Sequence, residues 1–506
     1  MALQWLSLVG AIWLQSISGS NSNFPAYSSE LKRRLSISQL QLNNLASASD
    51  AGKLFGWLSG LAAAHLPLWL VLLIGSLLGS AGYGFQFLFL ADLLPPPSYA
   101  AMFFLTAVAG NSICWINTVC YILVINNFPL DRHVAVGLSG SYVGLSAKLY
   151  ADIVDAAVAP SAPPPDRAKA FLLVSALLPP AVCISAAPFA RPVQVNPTRK
   201  LTRGFFAMFA VTIATGVLAV TTNLTAVLSP ASVVAAMLAM LLVPLLVPLY
   251  ENVRERIEQK CSIRIHNVNN MSAIEYGGKI EGCEIRDFED CSSIEEIGAK
   301  AMLCRLDFWL YYFVYLFGAT LGLVYLNNLG QIAESRGCFR TTWLVSLSSA
   351  FTFFGRLVPS LLDYLCSKTK VGKVSGGGAM GAIMVPICGA FFMLLNKHTM
   401  FLYTSTAIIG TCTGALSSIA VTTTTELFGV KNFGVNHNIV VSNIPIGTFL
   451  FGDLAALLYN KFASFEGKCM GQNCYQTTFI IWGSLCGLGI FLSLILHIRT
   501  KPHRLV

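Results

Sequence analysis

The sequence predicts an all-α protein threaded repeatedly through a membrane, and three observations predict it. Of 506 residues, 55% are hydrophobic and only 11% charged, with a mean hydropathy of +0.65, which is far more apolar than a soluble chain of this size. The apolar residues gather into about fourteen runs of roughly 20 residues, the length a helix needs to cross about 30 Å of hydrocarbon. The 41 Gly and 22 Pro suit membrane helices, where neighbours re-satisfy freed backbone groups, and break the alternation of a transmembrane barrel.

In chain order the runs lie near residues 3–22, 44–64, 67–90, 99–126, 134–158 and 168–190, then 204–225 and 231–250, then 307–330, 342–362, 377–396, 400–424, 436–459 and 478–498. The plan is six, two and six spans, with twelve as the alternative count. Residues 1–190 form an N-terminal six-helix bundle, 191–250 two central spans, 251–306 a cytosolic loop, 307–498 a C-terminal six-helix bundle and 499–506 a cytosolic tail. The opening segment resembles a secretory signal, but it lacks a basic start and carries Trp13 and Gln15 in its core, so it reads as the first span. Between 251 and 305 lie 8 basic and 11 acidic residues, the mark of a solvated connector, with a helix suggested at Glu251–Lys260.

An even number of spans puts both termini on one side. The tail residues Arg499, Lys501 and Arg504, with Arg191, Arg199, Lys200, Arg203, Lys368, Lys370 and Lys373, make that side cytosolic. Lys32, Arg33 and Arg34 oppose this, in a first loop placed outside. The net charge of +9 is spread over short loops, so no nucleic-acid partner is implied. Cys114, Cys120, Cys183, Cys366, Cys388, Cys412 and Cys486 fall in or beside apolar runs, as packing residues. Cys469 and Cys474 share one short loop and can pair if it faces an oxidising compartment. No CxxC occurs, no GxxxxGK[ST] is present, and the seven His are scattered. Neither a metal, a cofactor nor an enzyme activity is expected.

Two six-span halves invite a search for an internal repeat. Gly52-Lys53-Leu54 in the second span aligns with Gly355-Arg356-Leu357 in the second span of the other half. Charges inside hydrocarbon cost several kcal/mol unless paired or wet. Asp50 and Lys53, three residues apart, can pair with one another; alternatively Lys53 and Arg356 face a central cavity as symmetric partners and attract an anionic solute. On the fifth span Lys148 and Asp152 are spaced for a salt bridge, while Asp152 or Asp155 could instead carry a coupling proton. Uncharged polar residues recur on the first and fourth spans of each half: Gln15, Asn21, Asn111, Trp115 and Asn117, then Asn327, Gln331 and Thr413. They serve either as interhelical hydrogen bonds or as a cavity lining.

The motifs Tyr27-Ser28-Ser29-Glu30-Leu31-Lys32, Asp50-Ala51-Gly52-Lys53, Gly110-Asn111, Trp115-Ile116-Asn117-Thr118, Asn327-Asn328-Leu329-Gly330-Gln331, Gly355-Arg356 and Glu426-Leu427-Phe428-Gly429 resemble those of the plant nodulin-like, or nuclear-fusion-defective-like, group of the major facilitator superfamily. The resemblance covers nearly the whole chain outside 251–305. It implies two six-helix bundles around a cavity lined by the first and fourth spans of each, which adds Tyr27 to the lining candidates, and alternating access by rocking. It also implies a latch after the second span of each half. The amino-terminal copy is missing, since Gly60 stands where an Asp is usual, whereas Asp363 and Lys368 keep the other. Similar proteins carry a Lys near Leu138-Ser139-Gly140 and a Gly at His133.

The function expected is secondary active transport, or facilitated passage, of a small polar or anionic solute across the plasma membrane or an endomembrane. A proton is the candidate coupling ion. The alternative is a non-transporting regulator or scaffold that keeps the transporter fold.

Overall fold

A computed structural model describes residues 1–158, 162–193, 201–224, 229–273, 295–337, 341–366, 375–462 and 469–500. Those residues form helices α1 (Ala2–Ile17), α2 (Phe24–Leu35), α3 (Gln39–Ala51), α4 (Trp57–His65), α5 (Leu68–Leu90), α6 (Tyr99–Asn127), α7 (Arg132–Ser141), α8 (Ser146–Ala157) and α9 (Pro164–Ala186). Next come α10 (Thr202–Leu224), α11 (Pro230–Leu242) and α12 (Leu246–Ala273). The remainder are α13 (Ala299–Leu303), α14 (Leu306–Tyr315), α15 (Leu321–Asn327), α16 (Leu329–Ser335), α17 (Thr341–Cys366), α18 (Gly376–Met393), α19 (Thr399–Phe428), α20 (Phe433–Val441), α21 (Asn443–Gly447), α22 (Asp453–Lys461) and α23 (Asn473–Thr500). The helix suggested at Glu251–Lys260 is the middle of the longer α12.

Eleven helical runs among the described residues are long and apolar enough to cross a membrane. Outside these eleven are the first, second and fifth sequence runs, and each is broken by a 3-10 turn, at Ser20–Asn23, Gly52–Phe55 and Tyr142–Leu145. Short Ser and Asn side chains compete with the helix for backbone hydrogen bonds, which accounts for the break after Ser18 and Gly19. In the second half the corresponding irregularities are π-turns at Leu316–Thr320 and Thr448–Gly452. Such turns mark helices bent for a purpose.

The repeat seen in sequence is a repeat of backbone contact. α3 and its following turn cross α6 so closely that a Cβ added at Gly52 would sit 2.0 Å from the Ala107 carbonyl oxygen, and one at Gly110 would sit 1.9 Å from that of Ser49. α17 crosses α19 in the same way: a Cβ at Gly355 would meet the Thr411 oxygen at 2.0 Å, and one at Gly414 the Thr352 oxygen at 2.4 Å. Only glycine lets helix backbones touch like this, the small-residue packing of membrane bundles. α1 is a core helix, with Trp5, Leu8 and Ile12 fully buried against α6 and α9. Of the central helices, α10 packs on α7 and α17, and α11 on α8.

Cys469 and Cys474 form a disulfide, in the α22–α23 connection. At the same end of the molecule Arg33 and Arg34 both bind Glu30, and Arg34 reaches Asp92 at 2.6 Å. The basic cluster that opposed the orientation argument is thus tied to acidic partners.

A methyl group at either crossing has nowhere to go, so Gly52→Ala and Gly355→Ala each lower the melting temperature of detergent-purified protein, by an overpacking cost of about 1–3 kcal/mol. Gly389→Ala, inside α18 with open space around it, serves as the control and does not lower it, since alanine is the better helix former.

Candidate functional site

The helix breaks converge. A cavity of about 190 Å³ is lined by Ser18, Gly19, Asn21 and Ser22 from the first break, Lys53 from the second and Val143 from the third. α6 adds Cys114, Asn117, Thr118 and Tyr121; the facing half adds Tyr315 beside the π-turn after α14, Arg356 of α17, Ser417 of α19, and Phe433, His437 and Asn438 of α20. Irregular backbone inside a membrane protein is tolerated where it lines such a space, because its freed N–H and C=O groups need polar company.

Two cations sit in this wall. Lys53 Nζ lies 2.6 Å from Asp50 Oδ1, and the other Asp50 oxygen accepts a hydrogen bond from Thr448 Oγ1 at 3.2 Å. Arg356 has no carboxylate partner among the described residues; its Nε is buried with no hydrogen-bond partner, and Nη1 reaches only the Gly140 carbonyl, at 3.5 Å. Phe433 stacks on His437, ring centroids 5.1 Å apart, and His437 Nδ1 is 3.1 Å from Thr424 Oγ1.

Of the residues singled out in the sequence, Asn21, Asn117, Lys53 and Arg356 line the cavity. The others are placed elsewhere. Asn111 Nδ2 donates to the Gly52 carbonyl at 2.8 Å and its oxygen accepts from Trp115 Nε1 at 2.8 Å, so both secure the glycine crossing. Gln15 accepts from Ser18 Oγ, and Tyr27 is buried beside Phe24. Thr413 faces Gly322, Gln331 accepts from Tyr475 at 2.8 Å, and Asn327 is exposed. Lys148 and Asp152 bind each other at 2.9 Å, and Asp155 binds Arg167 at 2.6 Å. Tyr315, Tyr121, His437 and Asn438 escaped the sequence reading. His437 carried a usable signal, an ionisable residue inside the apolar run 436–459.

Besides the Asp50–Thr448 bond, the halves meet at the end that carries His65, Asp131 and Cys366. There Asn438 Nδ2 donates to Thr118 Oγ1 at 2.7 Å, which is itself 2.7 Å from Ser59 Oγ. Nearer that end His133 lies between Asp363, at 3.4 Å, and Glu426, at 3.1 Å, and its carbonyl accepts from Ser360 Oγ. Where the amino-terminal latch is missing, α4 lies directly against α20: a Cβ at Gly60 would be 2.3 Å from the Gly434 carbonyl carbon. Asp363 therefore meets His133, while Lys368 falls outside the described residues.

Known proteins match this architecture. Residues 4–250 match the family described as Nodulin-like, and residues 290–504 that described as NFD4, C-terminal domain. The chain belongs to the nodulin-like family. This nodulin-like chain is 38% identical to Protein NUCLEAR FUSION DEFECTIVE 4 of Arabidopsis thaliana, over 99% of its own length and 90% of the relative's. Among solved structures it is similar to the proton:xylose symporter XylE (TM-score 0.53, 11% identity, 97% of this chain and 94% of the other). It is also similar to the peptide transporter POT (TM-score 0.53, 15% identity, 98% and 93%), and to FucP in its outward conformation (TM-score 0.50, 12% identity, 97% and 98%). The fold is that of the major facilitator superfamily, and with its eleven long apolar helical runs among the described residues the chain is an integral multi-pass membrane protein.

Gly60 makes the seal a steric one. Gly60→Leu should force α4 from α20 and open the cavity, raising the rate at which Cys114 in its wall reacts with a small maleimide several-fold over wild type, read by peptide mass spectrometry; an unchanged rate would contradict this reading.

Proposed function

We propose that the protein is a secondary transporter, or facilitator, of a small polar or anionic solute, working by alternating access between two six-helix bundles. The observation that carries this reading is the cavity formed where helices of both halves break, with Lys53 and Arg356 in its wall. The three passages broken by 3-10 turns, α1–α2, α3–α4 and α7–α8, added to the eleven long apolar runs, give fourteen spans in a six, two, six plan. The bundle boundaries follow as 1–190 and 307–498, with 191–250 between them. Both termini are cytosolic on this reading, which puts the Cys469–Cys474 loop on the opposite, oxidising side, where a disulfide persists.

The contacts of Gly60 with Gly434, and of His133 with Asp363 and Glu426, support a state shut towards the cytosol. Rocking would break these contacts and leave the glycine crossings intact, since the latter lie within each half. A proton is the proposed coupling ion. Asp152 and Asp155 are paired away from the cavity, whereas Asp50 is bound to a lining cation and to Thr448 of the other half, so Asp50 is the carboxylate that joins the cavity wall to both bundles.

Purified protein in liposomes tests the reading. With a panel of neutral sugars, amino acids and small organic acids, flux of at least one solute down its gradient is expected, faster with an inward proton gradient and lowered at least tenfold by Asp50→Asn. No flux across the panel would favour the non-transporting regulator.

The orientation has its own test: a membrane-impermeant thiol reagent added outside intact cells or vesicles of native sidedness modifies Cys469 and Cys474 after reduction by an impermeant phosphine. Modification only after permeabilisation would reverse the topology.

A further inference from the structure

We infer that the solute carries a single negative charge, in the form of a small carboxylate, and that Arg356 is the group that anchors it; the inference deepens the transporter reading and rests on it. The argument is a charge count over the cavity wall. Lys53 is already neutralised by Asp50 at 2.6 Å, and that carboxylate is further held by Thr448. Arg356 is not neutralised. It has five donors to satisfy, yet among the described residues its Nε has no partner and its one acceptor stands at 3.5 Å, beyond ordinary hydrogen-bond length.

An unpaired cation in such a place is held at a cost of several kcal/mol. The backbone leaves it no retreat, because the Gly355–Thr411 contact beside it fixes α17 against α19. A guanidinium fork is matched in plane and spacing by a carboxylate, which takes two parallel hydrogen bonds. The wall thus offers one net positive charge. A dicarboxylate would need Lys53 freed from Asp50. A phosphate ester, at about −1.5 to −2 at neutral pH, exceeds what is on offer.

Size follows from the volume. About 190 Å³ lies below the range of about 300–1,000 Å³ usual for drug-sized ligands, which favours a small solute. Beyond the carboxylate, Asn117 presents a buried side-chain oxygen with no partner, an acceptor for a hydroxyl or amine hydrogen on the same small molecule.

The experiment is thermal stabilisation of the full chain in detergent, since anything that binds the folded state raises its melting temperature. Small monocarboxylates (acetate, glycolate, lactate) are compared with their own amides, with succinate and with inorganic phosphate. At least one monocarboxylate is expected to raise the melting temperature by several degrees while its amide does not. In Arg356→Gln the shift should vanish, and in Arg356→Lys return with at least tenfold weaker affinity. The inference is overturned if no monocarboxylate stabilises the wild type, if an amide does so equally, if succinate or phosphate binds more tightly, or if Arg356→Gln keeps the shift. The acid–amide comparison uses the wild type alone, so a variant that fails to fold leaves it decisive. Liposome flux separates the two readings: a neutral solute moved equally by wild type and Arg356→Gln removes the carboxylate and leaves the transporter, whereas carboxylate binding without any flux removes the transporter and leaves the site.

Discussion

Backbone contact at two glycine crossings is the constraint on which the rest of the structure depends. A membrane gives helices little hydrophobic reason to associate, so close van der Waals packing must hold them together, and Gly52 with Gly110 and Gly355 with Gly414 allow the closest packing available. The next residue after the first glycine of each pair is the cation, Lys53 or Arg356. A lysine or arginine one position beyond a fixed crossing cannot slide along the helix or rotate towards lipid without undoing that contact. The crossings thus both assemble each half and aim its charge at the midline.

The same economy explains why the cavity forms at breaks in helices. An unbroken helix satisfies its own backbone and offers a ligand only side chains, whereas a helix interrupted at Ser20–Asn23 or Gly52–Phe55 frees N–H and C=O groups that have to be met by other polar groups or by solvent. Gathering the breaks of three passages into one place confines that requirement to a single polar chamber and leaves the lipid-facing lengths regular. In the second half Tyr315, which lines the cavity, stands immediately before the π-turn at Leu316–Thr320.

Most of the fold was legible in the sequence because hydropathy reports the length of a span directly, and the repeat was legible because Gly followed by a cation survives in both copies. The sequence located Asn21, Asn117, Lys53 and Arg356, which are polar residues on apolar runs. It also gathered Asn111 and Trp115, polar residues of the same kind that instead secure the crossing at Gly52. Spacing along a helix cannot separate these roles, because i and i+4 positions on one face can meet a neighbouring helix as easily as a cavity. Tyr315 and Tyr121 left no trace because an aromatic on an apolar run looks like core. His437 was discounted for want of sequence neighbours, although its partners, Phe433 and Thr424, lie close by in the chain.

Gly60 shows how an apparent loss can be a change of means. An acidic latch holds two bundles through charge, which weakens as water and salt reach it. A glycine there lets α4 and α20 close to backbone contact, an attraction of many small dispersion terms that loses about a quarter to a half of its strength at a gap of about 0.5–1 Å. The ionic part of the closure has moved outward, to His133 between Asp363 and Glu426. Such a seal is short-ranged at its core and polar at its rim. Closure by shape and closure by polar contact then rest on different residues, so that either can vary without loss of the other.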